Sequence, residues 1–127
     1  MFRSKTSLSK LEQLVMEVVW KRTTATSEEV REALATQHPM KESTARTILT
    51  RLEAKGYVSH VVAGRTNVYR ALEARQSVAA GAVRQIIDRL CGGSVEQLLV
   101  GMVDDEVIGE KELQRLAQKI AKRKAAK

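Results

Sequence analysis

Between residues 43 and 72 the spacing of apolar side chains changes from helical to strand-like, and a glycine marks the change. In STARTILTRLEAKGYV (43–58), Ala45, Ile48, Leu49 and Leu52 recur at three- and four-residue intervals, the stripe of a helix buried on one side. Gly56 stands where glycine commonly ends a helix. YVSHVV (57–62) and NVYRAL (67–72) are then rich in β-branched and aromatic residues, with AGRT between them. Two such runs around a glycine-containing loop predict a β-hairpin.

The segment before it carries two helix starts. S-K-L-E places Glu12 three residues after Ser9, a capping box. The helix it opens turns Leu11, Leu14, Val15 and Val18 inward, with Val19 and Trp20 adding bulk at the far end, and Trp20, Leu11 and Leu14 read as core. T-S-E-E, from Thr26 to Glu29, is a second capping box. Its helix has Val30, Ala33 and Leu34 inward and ends before His38-Pro39, because proline disfavours helix at the residue before it. Three helices followed by a hairpin is the order of a winged helix-turn-helix. In that architecture the third helix enters the major groove of DNA and the hairpin, or wing, lies along the adjacent backbone.

The outward face of the third helix agrees with such a partner. Thr44, Arg46, Thr47, Thr50 and Arg51 lie opposite the apolar stripe, and no carboxylate occurs from Ser43 through Leu52. A solvated helix face usually mixes acidic with basic residues, which support each other at helical spacing. The net charge is +7, and residues 1–72 carry 12 Lys or Arg against 7 Asp or Glu, whereas residues 73–127 carry 10 against 8. A polyanion is the partner this charge suits, and the N-terminal part is its footprint. Arg46 and Arg51 suit guanine edges or phosphates, and the threonines suit thymine methyls or phosphates. Arg65, in the hairpin loop, would face the phosphate backbone.

After Glu73 helical spacing returns. Ala79, Ala82, Val83, Ile86, Ile87 and Leu90 form a stripe ending at Gly92-Gly93; S-V-E-Q at Ser94 to Gln97 opens a short helix with Leu98, Leu99 and Met102. A last helix, from about Gly109, carries Leu113, Leu116 and Ile120. Stripes this thin cannot enclose a core alone, and a two-fold homodimer is the commonest way of covering them. The expected dimerisation residues are Ile86, Leu90, Leu98, Leu99, Met102, Leu113, Leu116 and Ile120. The expected architecture is mainly α with a small β-hairpin wing. Residues 1–72 would form a winged-helix DNA-binding domain and residues 73–127 a helical dimerisation domain.

Other classes find little support. Cys91 is the single cysteine, which fits a reducing cytoplasm and a buried small hydrophobe. Residues 1–10 lack the apolar run of a secretory leader, and no apolar stretch approaches a membrane span. His38 and His60 have no partners in ligand spacing, so neither a metal nor another cofactor is expected. No phosphate-binding glycine loop or nucleophile–base motif suggests an enzyme. Asp104-Asp105-Glu106 reads as a solvated helix end, and the basic KIAKRKAAK end as a frayed terminus. The competing class is a small dimeric helical adaptor that docks an acidic protein rather than DNA. It would account for the thin stripes and the charge, but not for a Thr/Arg face followed at once by a glycine-tipped hairpin.

LSKLEQLVMEVVW (8–20), STARTILTRLEAKGYV (43–58), GRTNVYRAL (64–72) and LCGGSVEQLLVGMVDDEVIGEKELQRL (90–116) together resemble the BlaI/MecI-type penicillinase repressors, a group that includes the CopY-type copper-responsive repressors. The resemblance covers nearly the whole chain through the order and spacing of these segments. It implies a bacterial repressor that binds a dyad-symmetric operator in double-stranded DNA as a homodimer. It also implies that Thr44, Arg46, Thr47 and Arg51, with Gly64 and Arg65 in the wing, reach the DNA. CopY-type members bind metal through clustered cysteines near the C-terminus, and this chain has no second cysteine. In the staphylococcal members a membrane sensor-protease pathway cuts the repressor in its dimerisation region. The matching bond here is Gly101-Met102, with Gly and Met where those members have Asn and Phe.

Overall fold

A computed structural model describes residues 6–126; what the sequence suggested for residues 1–5 and for Lys127 lies outside them. The chain divides into two compact units, residues 1–83 and 84–127. The division falls within a helix, beyond the boundary at 72 suggested by the change in pattern.

The first unit holds helices α1 (Lys10–Arg22), α2 (Ser27–Ala33) and α3 (Glu42–Ala54), with strands β1 (Thr24–Ala25), β2 (Val58–Ala63) and β3 (Thr66–Ala71). Both capping boxes form. The Ser9 hydroxyl accepts from the Glu12 amide while the Glu12 carboxylate accepts from the Ser9 amide, and Thr26 and Glu29 repeat the arrangement. The second helix is shorter than the pattern suggested. It stops at Ala33, Leu34 caps it, and Ala33 faces solvent rather than the core. Where α3 ends, the Tyr57 amide donates to the Leu52 carbonyl and the Gly56 amide to the Glu53 carbonyl, both at 3.0 Å. That Schellman pattern requires a positive φ at its turning residue, and Gly56 sits at φ 88°.

The sheet is antiparallel in the order β1-β3-β2, so the hairpin gains a short third strand absent from the sequence expectation. Ala63 pairs with Thr66, leaving a two-residue loop of Gly64 and Arg65 with Gly64 at φ 68°. A glycine at the first loop position is the mark of a hairpin turn whose twist matches the strands.

Val15, Met16, Val18 and Val19 from α1 meet Val30 and Leu34, the α3 residues Ala45, Ile48, Leu49 and Leu52, and Tyr57, Val58 and Tyr69 from the hairpin. Leu11, Leu14 and Trp20 are half-buried at the edge of this core rather than inside it. Trp20 has a polar reason for being there: its Nε1 donates to the Glu73 carbonyl at 3.0 Å, and the Arg75 guanidinium lies 5.4 Å from its ring. Among the described residues Glu12 is the buried charge of the unit, 1% exposed, with its Oε1 2.7 Å from Lys55 Nζ.

Helix α4 (Arg75–Leu90) crosses from the first unit into the second, which also contains α5 (Val95–Asp104) and α6 (Glu110–Ala125). Ser94 caps α5 by accepting from the Gln97 amide, and Gly109 precedes α6. Among the described residues of this unit only Ile87 is a buried hydrophobic. Ile86 is 45%, Ile120 53% and Leu90 81% exposed. Leu98, Met102, Leu113 and Leu116 are half-buried, and Leu99 is exposed. Ala79, Ala82 and Val83 of the expected α4 stripe also face solvent, and Cys91 is half-buried rather than enclosed. Asp104, Asp105 and Glu106 are exposed at the end of α5.

Candidate nucleic-acid interface

Helix α3 is held by its apolar side, so its other side is presented by default. Thr44, Arg46, Thr47, Thr50 and Arg51 are all exposed. The threonine hydroxyls are partly committed: Thr47 Oγ1 donates to the Ser43 carbonyl at 3.0 Å and Thr50 Oγ1 to the Arg46 carbonyl at 2.9 Å. With the hydroxyl proton spent inside the helix, these side chains offer a methyl group and acceptor lone pairs rather than a donor.

The two-residue loop places Gly64 and Arg65 at the exposed tip of the hairpin. His60 on β2 ties the wing to α3, its Nδ1 lying 2.6 Å from Glu53 Oε1 and its ring 5.3 Å from that of Tyr69. Arg46 and Arg65, far apart in sequence, line one cleft of about 390 Å³ with Glu28, Glu42, Asn67 and Tyr69. The structure thus brings a helix-3 arginine and the wing arginine to the walls of a single concavity. Arg51 and Arg65 make no ion pair among the described residues.

Arg46 differs. Its Nη2 bonds both carboxylate oxygens of Glu42, one turn earlier on α3, and Glu42 Oε2 also accepts from Ser27 Oγ at 2.9 Å. Sequence reasoning missed Glu42 because the carboxylate-free stretch was counted from Ser43. The four-residue spacing to Arg46 was the available signal. Asn67 and Ser27 were missed as well, since nothing local marks a residue that lines a cleft built from three elements.

Against this geometry, a family profile described as penicillinase repressor matches residues 8–122. The chain belongs to the penicillinase repressor family. It is a DNA-binding transcriptional repressor with a winged-helix domain, not an enzyme. The penicillinase repressor of Bacillus licheniformis is 24% identical over 120 residues, 94% of either chain. Among solved structures, the DNA-binding domain of the repressor BlaI is 30% identical with a TM-score of 0.51, covering 58% of this repressor and 90% of that chain. The monomeric form of Bacillus licheniformis BlaI in complex with the blaP half-operator is 29% identical with a TM-score of 0.50, covering 59% and 92%.

Three further features of this repressor bear on the sequence expectations. Among the described residues no group of three His, Cys, Asp or Glu could hold a metal ion. No described helix is long and apolar enough to cross a membrane. The Gly101-Met102 bond lies inside α5, with both residues half-buried.

Proposed function

We propose that this repressor binds a dyad-symmetric promoter operator as a homodimer, with α3 in the major groove and the wing on the neighbouring backbone. The observation that carries this reading is the exposed Thr/Arg face of α3 beside Arg65 across one cleft. The likeness to the BlaI monomeric form in complex with a half-operator supports the DNA contact. Arg46 and Arg51 act on base edges or phosphates, Thr44 stands beside them, and the methyl groups of Thr47 and Thr50 suit thymine. Gly64 lets the loop turn, and Arg65 at its tip meets phosphate. Residues 1–72 supply the DNA-binding function. The exposed and half-buried apolar side chains of α4, α5 and α6 (Ile86, Leu90, Leu98, Leu99, Met102, Leu113, Leu116 and Ile120) supply the dimer contact.

The arginines separate the roles. Arg46→Ala or Arg51→Ala should weaken binding to the preferred sequence by about 1–3 kcal/mol where a guanine is contacted bidentately. Arg65→Ala should instead weaken binding to all duplexes nearly equally and flatten the salt dependence. A mobility-shift titration on duplexes from the repressor's own promoter distinguishes them. If neither α3 arginine matters while the fold is intact, the groove assignment is wrong.

Relief of repression by a membrane sensor-protease pathway is the finer part of the proposal. A cut between Gly101 and Met102 would separate α6, with Leu113, Leu116 and Ile120, from the DNA-binding unit. Because the bond is helical, a protease needs α5 to open first, and a glycine weakens a helix by about 1 kcal/mol relative to alanine. Mass spectrometry of the protein from induced cells should show a fragment ending at Gly101. An intact chain under full derepression would end this part of the account.

A further inference from the structure

Among Arg46, Arg51 and Arg65, only Arg46 is held in an ion pair among the described residues, and its holder is a carboxylate on the face that would meet DNA. Glu42 is the first residue of α3. It does not cap the helix, for Lys41 is the N-cap and makes no side-chain cap bond. Its carboxylate instead accepts from Ser27 on α2 and from Arg46 on α3, so it is anchored across the helix-turn-helix. Only Nη2 of Arg46 is engaged; Nη1 and Nε have no partner among the described residues. The Arg46 side chain is 59% exposed, so these groups are within reach of a base edge.

Two consequences follow from charge and geometry. A long arginine side chain tethered by its carboxylate loses less freedom when it meets a base, which favours the correct contact. Toward phosphates, however, the Glu42–Arg46 pair is neutral and adds nothing to counterion release. A carboxylate in this place therefore strengthens discrimination and weakens indiscriminate binding.

We propose that Glu42 is a positioning and specificity-determining residue of the DNA interface, holding Arg46 for a base edge while cancelling its pull on phosphates. The proposal rests on the α3 groove reading above. The test is Glu42→Gln, whose amide oxygen can still accept from Ser27, made alone and together with Arg46→Ala in the full chain. The probes are a duplex enriched by the wild-type repressor from a randomised pool and a scrambled duplex of equal length.

Glu42→Gln should bind the scrambled duplex about fivefold more tightly, with a salt slope steeper by about one released counterion. The ratio of affinities for enriched over scrambled duplex should fall about tenfold, with preference relaxed mainly at the base pair that Arg46→Ala also relaxes. On the Arg46→Ala background, Glu42→Gln should leave base preference where it was. An unchanged ratio and salt slope in Glu42→Gln, or an equal loss on both duplexes, would overturn the proposal while leaving the groove reading standing. A wild-type repressor that enriches no sequence would overturn the groove reading and this proposal with it.

Discussion

Lys55→Ala is expected to cost about 3 kcal/mol of folding stability, although Lys55 lies outside the apolar core. The reason is Glu12. Its side chain is 1% exposed, its Oε1 accepts from Lys55 Nζ at 2.7 Å and from the Ser9 amide at 2.8 Å, and its Oε2 has no hydrogen-bond partner among the described residues. Burial alone would raise the Glu12 pKa; the Lys55 and Ser9 hydrogen bonds and the Lys55 charge outweigh it and hold the value below the ordinary 4.5. Removing the lysine leaves a buried carboxylate with one donor, and breaking such a pair from one side costs more than the pair itself contributes. Lys55 Nζ also donates to the Ser7 carbonyl at 3.2 Å, so the chain entering α1 loses a tie as well.

The same geometry gives the loss a pH signature. In the wild type the folded pKa of Glu12 is depressed, so its contribution is present above the unfolded value near 4.5 and is lost as pH falls through the lower folded value. Without Lys55, its hydrogen bond and charge no longer offset burial, so the folded pKa moves up and the contribution at neutral pH shrinks. Urea unfolding at fixed protein concentration should show a gap between the two proteins that narrows from about pH 7 to about pH 4. A gap of the same size at both pH values would mean that Lys55 stabilises by packing and not through Glu12.

How far these contacts were legible depended on their reach along the chain. The capping boxes at Ser9 and Thr26, the Ser94 cap, the α3 stripe and the Gly56 stop are all decided within a few residues, and the structure has each of them. The winged-helix order followed from them. Strand β1 was not legible, because Thr24 and Ala25 become a strand only by pairing with Arg70 and Tyr69. Glu12 was readable as a capping residue, but its charge partner lies 43 residues away. Trp20 looked like core because its bulk is local, whereas the Glu73 carbonyl that draws it to the edge is distant in sequence. At the interface the Thr/Arg face was visible from helical spacing alone. The cleft it shares with Arg65 required the hairpin to be placed against α3.

The largest expected effect on binding comes from Leu116→Asp. Leu116 shares the α6 stripe with Leu113 and Ile120, and among the described residues α4, α5 and α6 enclose little apolar surface of their own. In the proposed homodimer that stripe is covered by the partner copy, where an unpaired carboxylate is strongly disfavoured. The variant should sediment as a monomer. Each monomer then binds a half-site without the effective concentration that tethering to its partner provides, so affinity for the full operator should fall by about 10²–10⁴-fold. The winged-helix unit keeps its own core, so half-site binding should survive. A Leu116→Asp protein that stays dimeric would move the interface away from α6.

In the proposed complex α3 and the wing together form the surface that meets DNA, and amide chemical shifts followed during titration with duplex show whether they do. The amides of residues 43–51 and 64–66 should shift most, with the shifts fading as salt rises. Large shifts confined to α5 and α6, with Thr44, Arg46, Arg51 and Arg65 unmoved, would contradict this arrangement.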